Sequence, residues 1–238
     1  MTNTKMLWLL SGPLLVAGAA SANAGVISIS NPSFEILPAS GLNQHCPGQD
    51  YPGCSYSVGA IPYWNATGSG GSGQFQSGAQ AGNDTYLNST PDGDVVAYSN
   101  GATLWQTVSG VTVVPGLTYT LQVELGFRKD VGDPGGIGLE FAKNDGTGSV
   151  TVTGKGTPAK PGDWATYTAS YTAGVNDAGK LITVLLSSGG TQADWDNVML
   201  TSSVGPVTGS NPIPEPWSPA ILGVGLSALG IAVRRRPA

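Results

Sequence analysis

Between Gly25 and Thr208 the chain repeats short runs rich in Val, Thr, Tyr and Leu between clusters of Gly, Pro and Asn, and helical periodicity is nearly absent. That spacing predicts an all-β sandwich or barrel. The clearest strand is Thr118 to Phe127, where Tyr119, Leu121, Val123, Leu125 and Phe127 alternate with Thr120, Gln122, Glu124 and Gly126. A period of two puts the first set in a core and the second on the opposite face. Further strands are expected at 26–29, 94–99, 103–108, 138–142, 149–153, 165–172, 181–187 and 194–201. Leu181 to Leu186 is apolar on both faces, which marks a central strand. Residues 68–82 are Gly, Ser, Gln and Ala with little to bury, and read as a mobile loop. Trp164 and Tyr171 are assigned to the core.

The hydrophobic pattern changes at both ends. Lys5 precedes an apolar block containing Leu7, Trp8, Leu9 and Leu10, and Ala22-Asn23-Ala24 closes it. This predicts a secretory signal peptide over 1–24, cut before Gly25. Residues 204–213 read as a linker. After it come Pro214, Glu215 and Pro216, an apolar run from Trp217 to Val233, and Arg234, Arg235 and Arg236. At about 1.5 Å per residue that run is about 25 Å long, the short limit for a transmembrane helix. The arginines favour the cytoplasmic side, which leaves Gly25 onward outside that membrane. The order of these three elements resembles the PEP-CTERM sorting signal of Gram-negative bacteria. The resemblance implies an exosortase as processing partner, transient residence in the inner membrane, and a place at the cell surface or in an extracellular matrix linked to exopolysaccharide or biofilm.

One domain, 25–203, is expected between these signals on length. The formal charge of -5 becomes more negative on processing, because Lys5 and three C-terminal arginines leave. An acidic surface argues against nucleic acid as a partner. The two cysteines, Cys46 and Cys54, should form a disulfide in an oxidising compartment. A zinc site would need carboxylate help, since His45 is the single histidine.

Four pieces carry a second resemblance: Asn31-Pro32-Ser33-Phe34-Glu35, Ile61-Pro62-Tyr63-Trp64, the segment from Asp94 to Val108, and Asp194-Trp195-Asp196-Asn197-Val198-Met199-Leu200. Together they resemble the jelly-roll, galactose-binding-like domains that include many carbohydrate-binding modules. The likeness implies a single jelly-roll β-sandwich and a structural calcium where first and last strands meet, held by Glu35 and Asp196 with main-chain oxygens around Asn31 and Ser33. By strict alternation Val198 and Leu200 face inward, and Asp196 with them. A carboxylate placed there needs a cation or donors; the alternative is that Glu35 and Asp196 cap turns or meet a lysine.

The same likeness implies noncatalytic binding of polysaccharide. Gln122, Glu124 and Arg128 lie on the non-core side of their strand, and Trp64, Tyr86, Trp105 and Trp195 are the aromatic residues that would rim a groove. Large aromatics in a sandwich pack in the core more often than they serve as platforms. A structural matrix or adhesion protein that binds no sugar is the second function class.

Enzymatic readings rank below these. His45 lies in the disulfide loop and no Gly-x-Ser-x-Gly elbow occurs. Glu124 and Glu140 are the glutamates left for a glycosidase pair. The scaffold also resembles the Stig cyclases, calcium-containing cyanobacterial enzymes on a sandwich of carbohydrate-module type, and the C-terminal tail is the feature that argues against them. The expectation is therefore a protein without catalytic residues.

Overall fold

The computed structural model describes residues 25–46, 54–77, 86–130 and 135–204. The signal peptide, the linker after Val204 and the C-terminal tail lie outside the described residues, with Pro214, Glu215, Pro216, Arg234, Arg235 and Arg236. No described helix is long and apolar enough to cross a membrane.

Among the described residues thirteen strands form two antiparallel sheets: β1 Gly25–Ile27, β2 Gln44–His45, β3 Ser55–Tyr56, β4 Asn65–Thr67, β5 Ser72–Gln76, β6 Val96–Asn100, β7 Thr103–Thr112, β8 Leu117–Gly126, β9 Gly136–Ala142, β10 Val150–Thr153, β11 Trp164–Thr172, β12 Leu181–Ser187 and β13 Gln192–Val204. A 3-10 turn, Val175–Asp177, joins β11 to β12. The large sheet runs β11-β8-β13-β6-β5-β3-β2, with β1 also pairing β13, and the small sheet runs β10-β9-β12-β7-β4. This is an all-β sandwich.

The alternation in β8 sets the interior. Tyr119, Leu121, Val123 and Leu125 are buried, and they pack with Leu139, Phe141, Ile182, Val184 and Leu186 of the small sheet. β12 sits at the centre of that sheet, between β9 and β7. Tyr171 packs against the same core, its ring 4.7 Å from that of Phe141.

The segment read as a mobile loop contains β5, and this is a correction. Most of its side chains are polar, but the strand is anchored: the side-chain amide nitrogen of Gln74 donates to the carbonyls of Phe34 and Ile36, Ser57 Oγ accepts from Gln74 N at 3.0 Å, and Phe75 is buried. A Cβ on Gly73 would come within 2.0 Å of Ser57 O and 2.9 Å of the Tyr98 ring, so glycine is what admits the strand between its neighbours.

Candidate functional site

β13 departs from simple alternation. Asp196 pairs with Glu124, but Met199 pairs with Gln122, so Asn197 and Val198 together face one residue of β8. Asn197 takes a φ of 48°, a left-handed conformation that asparagine tolerates. Trp195, Val198 and Leu200 belong to the core between the sheets. Asp196 therefore shares the outer face of the large sheet with Glu124, and does not point inward with Val198. A strict period of two misses the inserted residue.

Three carboxylates approach one another there. Asp196 is fully buried, and its two oxygens accept from Asp92 N at 2.9 Å and Asn197 N at 2.7 Å. Glu35 Oε1 accepts from Asp94 N and Val95 N, and Ser33 Oγ donates to Asp92. Burial, opposed by the two amide donors and helped by repulsion from Asp92 and Glu35, raises the Asp196 carboxyl to about 7. The Asn31 side chain is used locally, bonding Ile36 at both its amide ends and Pro62 O. Among the described residues no set of three or more His, Cys, Asp or Glu side chains is arranged to hold a metal ion. A cation at this place would draw on Asp196, Glu35 and main-chain oxygens near Asn31 and Ser33, an oxygen-only set suited to calcium.

Two residues before Asp196, on the same face, lies Asp194. Its carboxyl has no exposure. Oδ1 accepts from Gln192 Nε2 at 2.9 Å, and Oδ2 has no hydrogen-bond partner among the described residues. Space for the side chain comes from its cross-strand partner Gly126, where a Cβ would meet Asp194 Cβ at 3.2 Å and Trp164 at 3.0 Å. Desolvation by burial is the main force on this carboxyl. It outweighs the Gln192 bond and raises the group to about 6.

A cavity of about 330 Å³ is lined by Tyr56, Phe75, Tyr86 and Tyr98, with Cys46, Asn100, Arg128 and Gln192. Tyr98 is the cross-strand neighbour of Asp194, and Gln192 is its hydrogen-bond partner, so the buried acid borders the cavity through two lining residues. The Tyr98 hydroxyl donates to Ser57 O at 2.8 Å, and burial pushes that phenol up to about 12, so it stays neutral. The walls belong to a second hydrophobic cluster of Cys46, Cys54, Phe75, Leu87, Val96 and Tyr98, outside the sandwich core. The Cys46–Cys54 disulfide is present, with Cα atoms 5.6 Å apart.

Of the residues proposed to bind a ligand, Tyr86 and Arg128 meet at this cavity. Glu124 stands on the same sheet face and accepts from Thr166 Oγ1 at 2.6 Å, and Gln122 follows it by alternation. The tryptophans do not assemble. Trp64 and Trp195 are in the core, and Trp105 is on β7 of the other sheet. Trp164, assigned to the core, instead packs beside the second cluster and donates to Ser89 O at 2.7 Å. Tyr56, Phe75 and Gln192 were not singled out by sequence reasoning, and Asp194, Tyr98 and Asn100 lay in the segments that carry the resemblance without being given a role in a site. The one local signal was Asp194 beside Trp195, since a strand with an inward Trp must aim its neighbouring acid outward.

A family model described as HpiC1-like, HpiC1 cyclase, matches residues 25–201. A crystal structure of the Stig cyclase Fisc from Fischerella sp. TAU, in complex with (3Z)-3-(1-methyl-2-pyrrolidinylidene)-3H-indole, is 22% identical over 77% of this chain and 100% of that one, with a TM-score of 0.56. A Fischerella sp. TAU cyclase in complex with 4-(1H-indol-3-yl)butan-2-one gives 22% identity, 76% and 98% coverage, and a TM-score of 0.54. These likenesses speak to the fold. A family 22 carbohydrate-binding module of Clostridium thermocellum Xyn10B gives 16% identity, 62% and 90% coverage, and a TM-score of 0.41, too loose to argue from. No curated protein matches. The family match overturns the expectation of a noncatalytic polysaccharide-binding protein without catalytic residues, and with it the rejection of the cyclase reading on account of the tail. Where a groove rimmed by tryptophans was expected, the structure has a cavity lined by Tyr56, Phe75, Tyr86 and Tyr98, with Asp194 buried behind two of its lining residues.

Proposed function

The chain belongs to the HpiC1-like cyclase family, and from that premise we propose that it closes a ring in a small, flat aromatic substrate by proton transfer from Asp194. The observation that carries this reading is a carboxyl with no exposure and, among the described residues, no hydrogen-bond partner for one oxygen, set behind Tyr98 and Gln192 of a cavity that Tyr56, Phe75 and Tyr86 also line. Burial favours the neutral acid, and a neutral acid is a proton donor. Gln192 donates to Oδ1, which leaves Oδ2 to carry the transferable proton.

The step balances without an oxidant. Oδ2 gives its proton to a π bond or heteroatom of the substrate, leaving a carboxylate and a substrate cation. An electron-rich carbon of the same substrate attacks that cation, and one carbon–carbon bond closes the ring. Loss of a proton from the new ring restores aromaticity or an alkene, and the carboxylate takes the proton back. Substrate and product are isomers. The rings of Tyr56, Phe75, Tyr86 and Tyr98 line the cavity and would offer π faces to the cation. The ligands bound in the Fischerella cyclase structures carry an indole or indole-derived ring, and a cavity of about 330 Å³ is of suitable size for such a molecule with a short substituent.

The scaffold is read as a jelly-roll. Calcium at Asp196 and Glu35, completed by oxygens of Asn31 and Ser33, is proposed as a structural ion that pins the 90–95 loop to β13. It would supply charge compensation to the carboxylates and takes no part in the ring closure. Export through the signal peptide at 1–24 is retained in the same reading, and N-terminal sequencing of the mature protein should begin at Gly25.

The test is to incubate the full-length protein with indoles that bear an alkenyl side chain and to look for a product of unchanged mass and new retention time. Formation of such an isomer by the wild type supports the reading. Unchanged substrate across a panel that fits the cavity, with a folded protein, removes it.

A further inference from the structure

Arg128 has a geometry that the proton transfer leaves unused. Its Nε and Nη2 donate to the two carboxylate oxygens of Asp130 at 2.9 and 2.7 Å. A two-pronged pairing of this kind fixes the guanidinium plane as well as its position. One side of the cation is occupied, because Cζ lies 4.0 Å from the centroid of the Tyr86 ring. Arg128 and Tyr86 both line the cavity, whereas Asp130 is outside the lining. The Arg128 side chain is 10% exposed and that of Asp130 is 46% exposed, so the carboxylate faces solvent while the cation is set into the wall. The pairing with Arg128 holds the Asp130 carboxyl below its ordinary range and keeps it charged.

We propose that Arg128 is a stacking platform, with an aromatic ring of the bound ligand laid on the guanidinium face opposite Tyr86, so that the site selects planar π systems over saturated rings. The proposal rests on the cyclase reading of the same cavity and names what chooses its substrate. Guanidinium is weakly hydrated and stacks on aromatic faces, and indole is the strongest π partner available to it among ordinary rings. Lysine would bring the charge without the plane. Asp130 acts as a positioning residue: it holds the plane, and its charge offsets that of Arg128, so the platform does not oppose a cation formed elsewhere in the cavity.

Calorimetric titration of the full-length protein decides this with two probes that share a ketone side chain, 4-(1H-indol-3-yl)butan-2-one and 4-cyclohexylbutan-2-one. The wild type should bind the indole at least about tenfold more tightly. Arg128→Lys and Asp130→Asn should each weaken the indole by about five- to tenfold and leave the cyclohexyl ketone within about twofold, with melting temperature preserved. An Arg128→Lys protein that binds the indole as the wild type does overturns the platform, and so does an equal loss for both probes. Should Arg128→Lys fold poorly, Asp130→Asn decides by the same criteria. A wild type that binds neither probe removes the cavity as the substrate site, and the cyclase reading with it. Binding with unchanged selectivity in the variants removes the platform alone.

Discussion

The two faces of the eight-stranded sheet bury side chains of opposite kind. The inner face is dry and apolar: Leu121, Leu125, Ala97 and Leu200 meet the small sheet, and Trp195 fills a large share of the space. The outer face buries Asp194, Asp196 and Tyr98, beneath loops and edge strands that carry the second hydrophobic cluster. Inner-face burial stabilises the fold directly. Burial of carboxylates does the reverse, and a structure retains it when the arrangement has another use. That difference is what places the proposed chemistry on the outer face and the main stabilisation on the inner one.

The largest change in stability should come from the inner face. Leu121→Ala removes a side chain with no exposure from the centre of the core, and should cost about 2–5 kcal/mol in urea unfolding. A loss below about 1 kcal/mol would mean that the sandwich is packed less tightly than the burial pattern implies. On the outer face the sign should invert. Burial raises the Asp194 carboxyl to about 6, above its value of about 3.9 in an unfolded chain. The folded protein therefore holds that proton more tightly, and stability from this group is complete below about pH 4 and lost as pH rises through about 6. Asp194→Asn cannot ionise, and should be more stable than the wild type at pH 8 by about 2–3 kcal/mol and nearly equal at pH 4. Equal stability at both values would place the carboxyl in contact with water.

The calcium proposed at Asp196 would sharpen the same contrast. Chelation should lower the melting temperature of the wild type by several degrees, since an ion bound only to the folded form stabilises it by mass action. Asp196→Ala should melt at the same temperature with and without chelator. A smaller effect of opposite pH sense belongs to Asp177, away from both the cavity and the carboxylate cluster. Its bonds to Lys180 Nζ at 2.7 Å and to the Tyr171 hydroxyl at 2.6 Å lower it to about 2. Stability from this group is present above about pH 4 and is lost as pH falls through about 2. Asp177→Asn should weaken the protein at pH 6 and converge with the wild type in strong acid, as followed by circular dichroism.

The inner face was legible in the sequence because its signal is local. Tyr119 to Leu125 alternate within one strand, and the predicted Leu181 to Ser187 strand has the bounds observed for β12. The outer face was not legible, because its parts come from distant segments. Tyr56, Phe75, Tyr98 and Gln192 lie on β3, β5, β6 and β13, and strand order brings them together. β5 escaped notice because Ser72, Gly73, Gln74 and Gln76 have the composition of a loop, and what stabilises the strand is hydrogen bonding to the 34–36 segment and to Ser57. One extra residue at Asn197 reversed the side assigned to Asp196. The tryptophans misled for the opposite reason: Trp64 and Trp195 are large enough to suggest a platform, and their size is used to fill the core.

The most direct test of the outer-face acid is the rate of isomer formation from an alkenyl indole accepted by the wild type, measured against pH for wild type and Asp194→Asn. The account predicts a wild-type rate that falls as pH rises through about 6, where the buried carboxyl loses its proton, and a loss of about 10²- to 10⁴-fold in a folded Asp194→Asn protein. An Asp194→Asn enzyme that turns over at the wild-type rate, with the same pH profile, would contradict it.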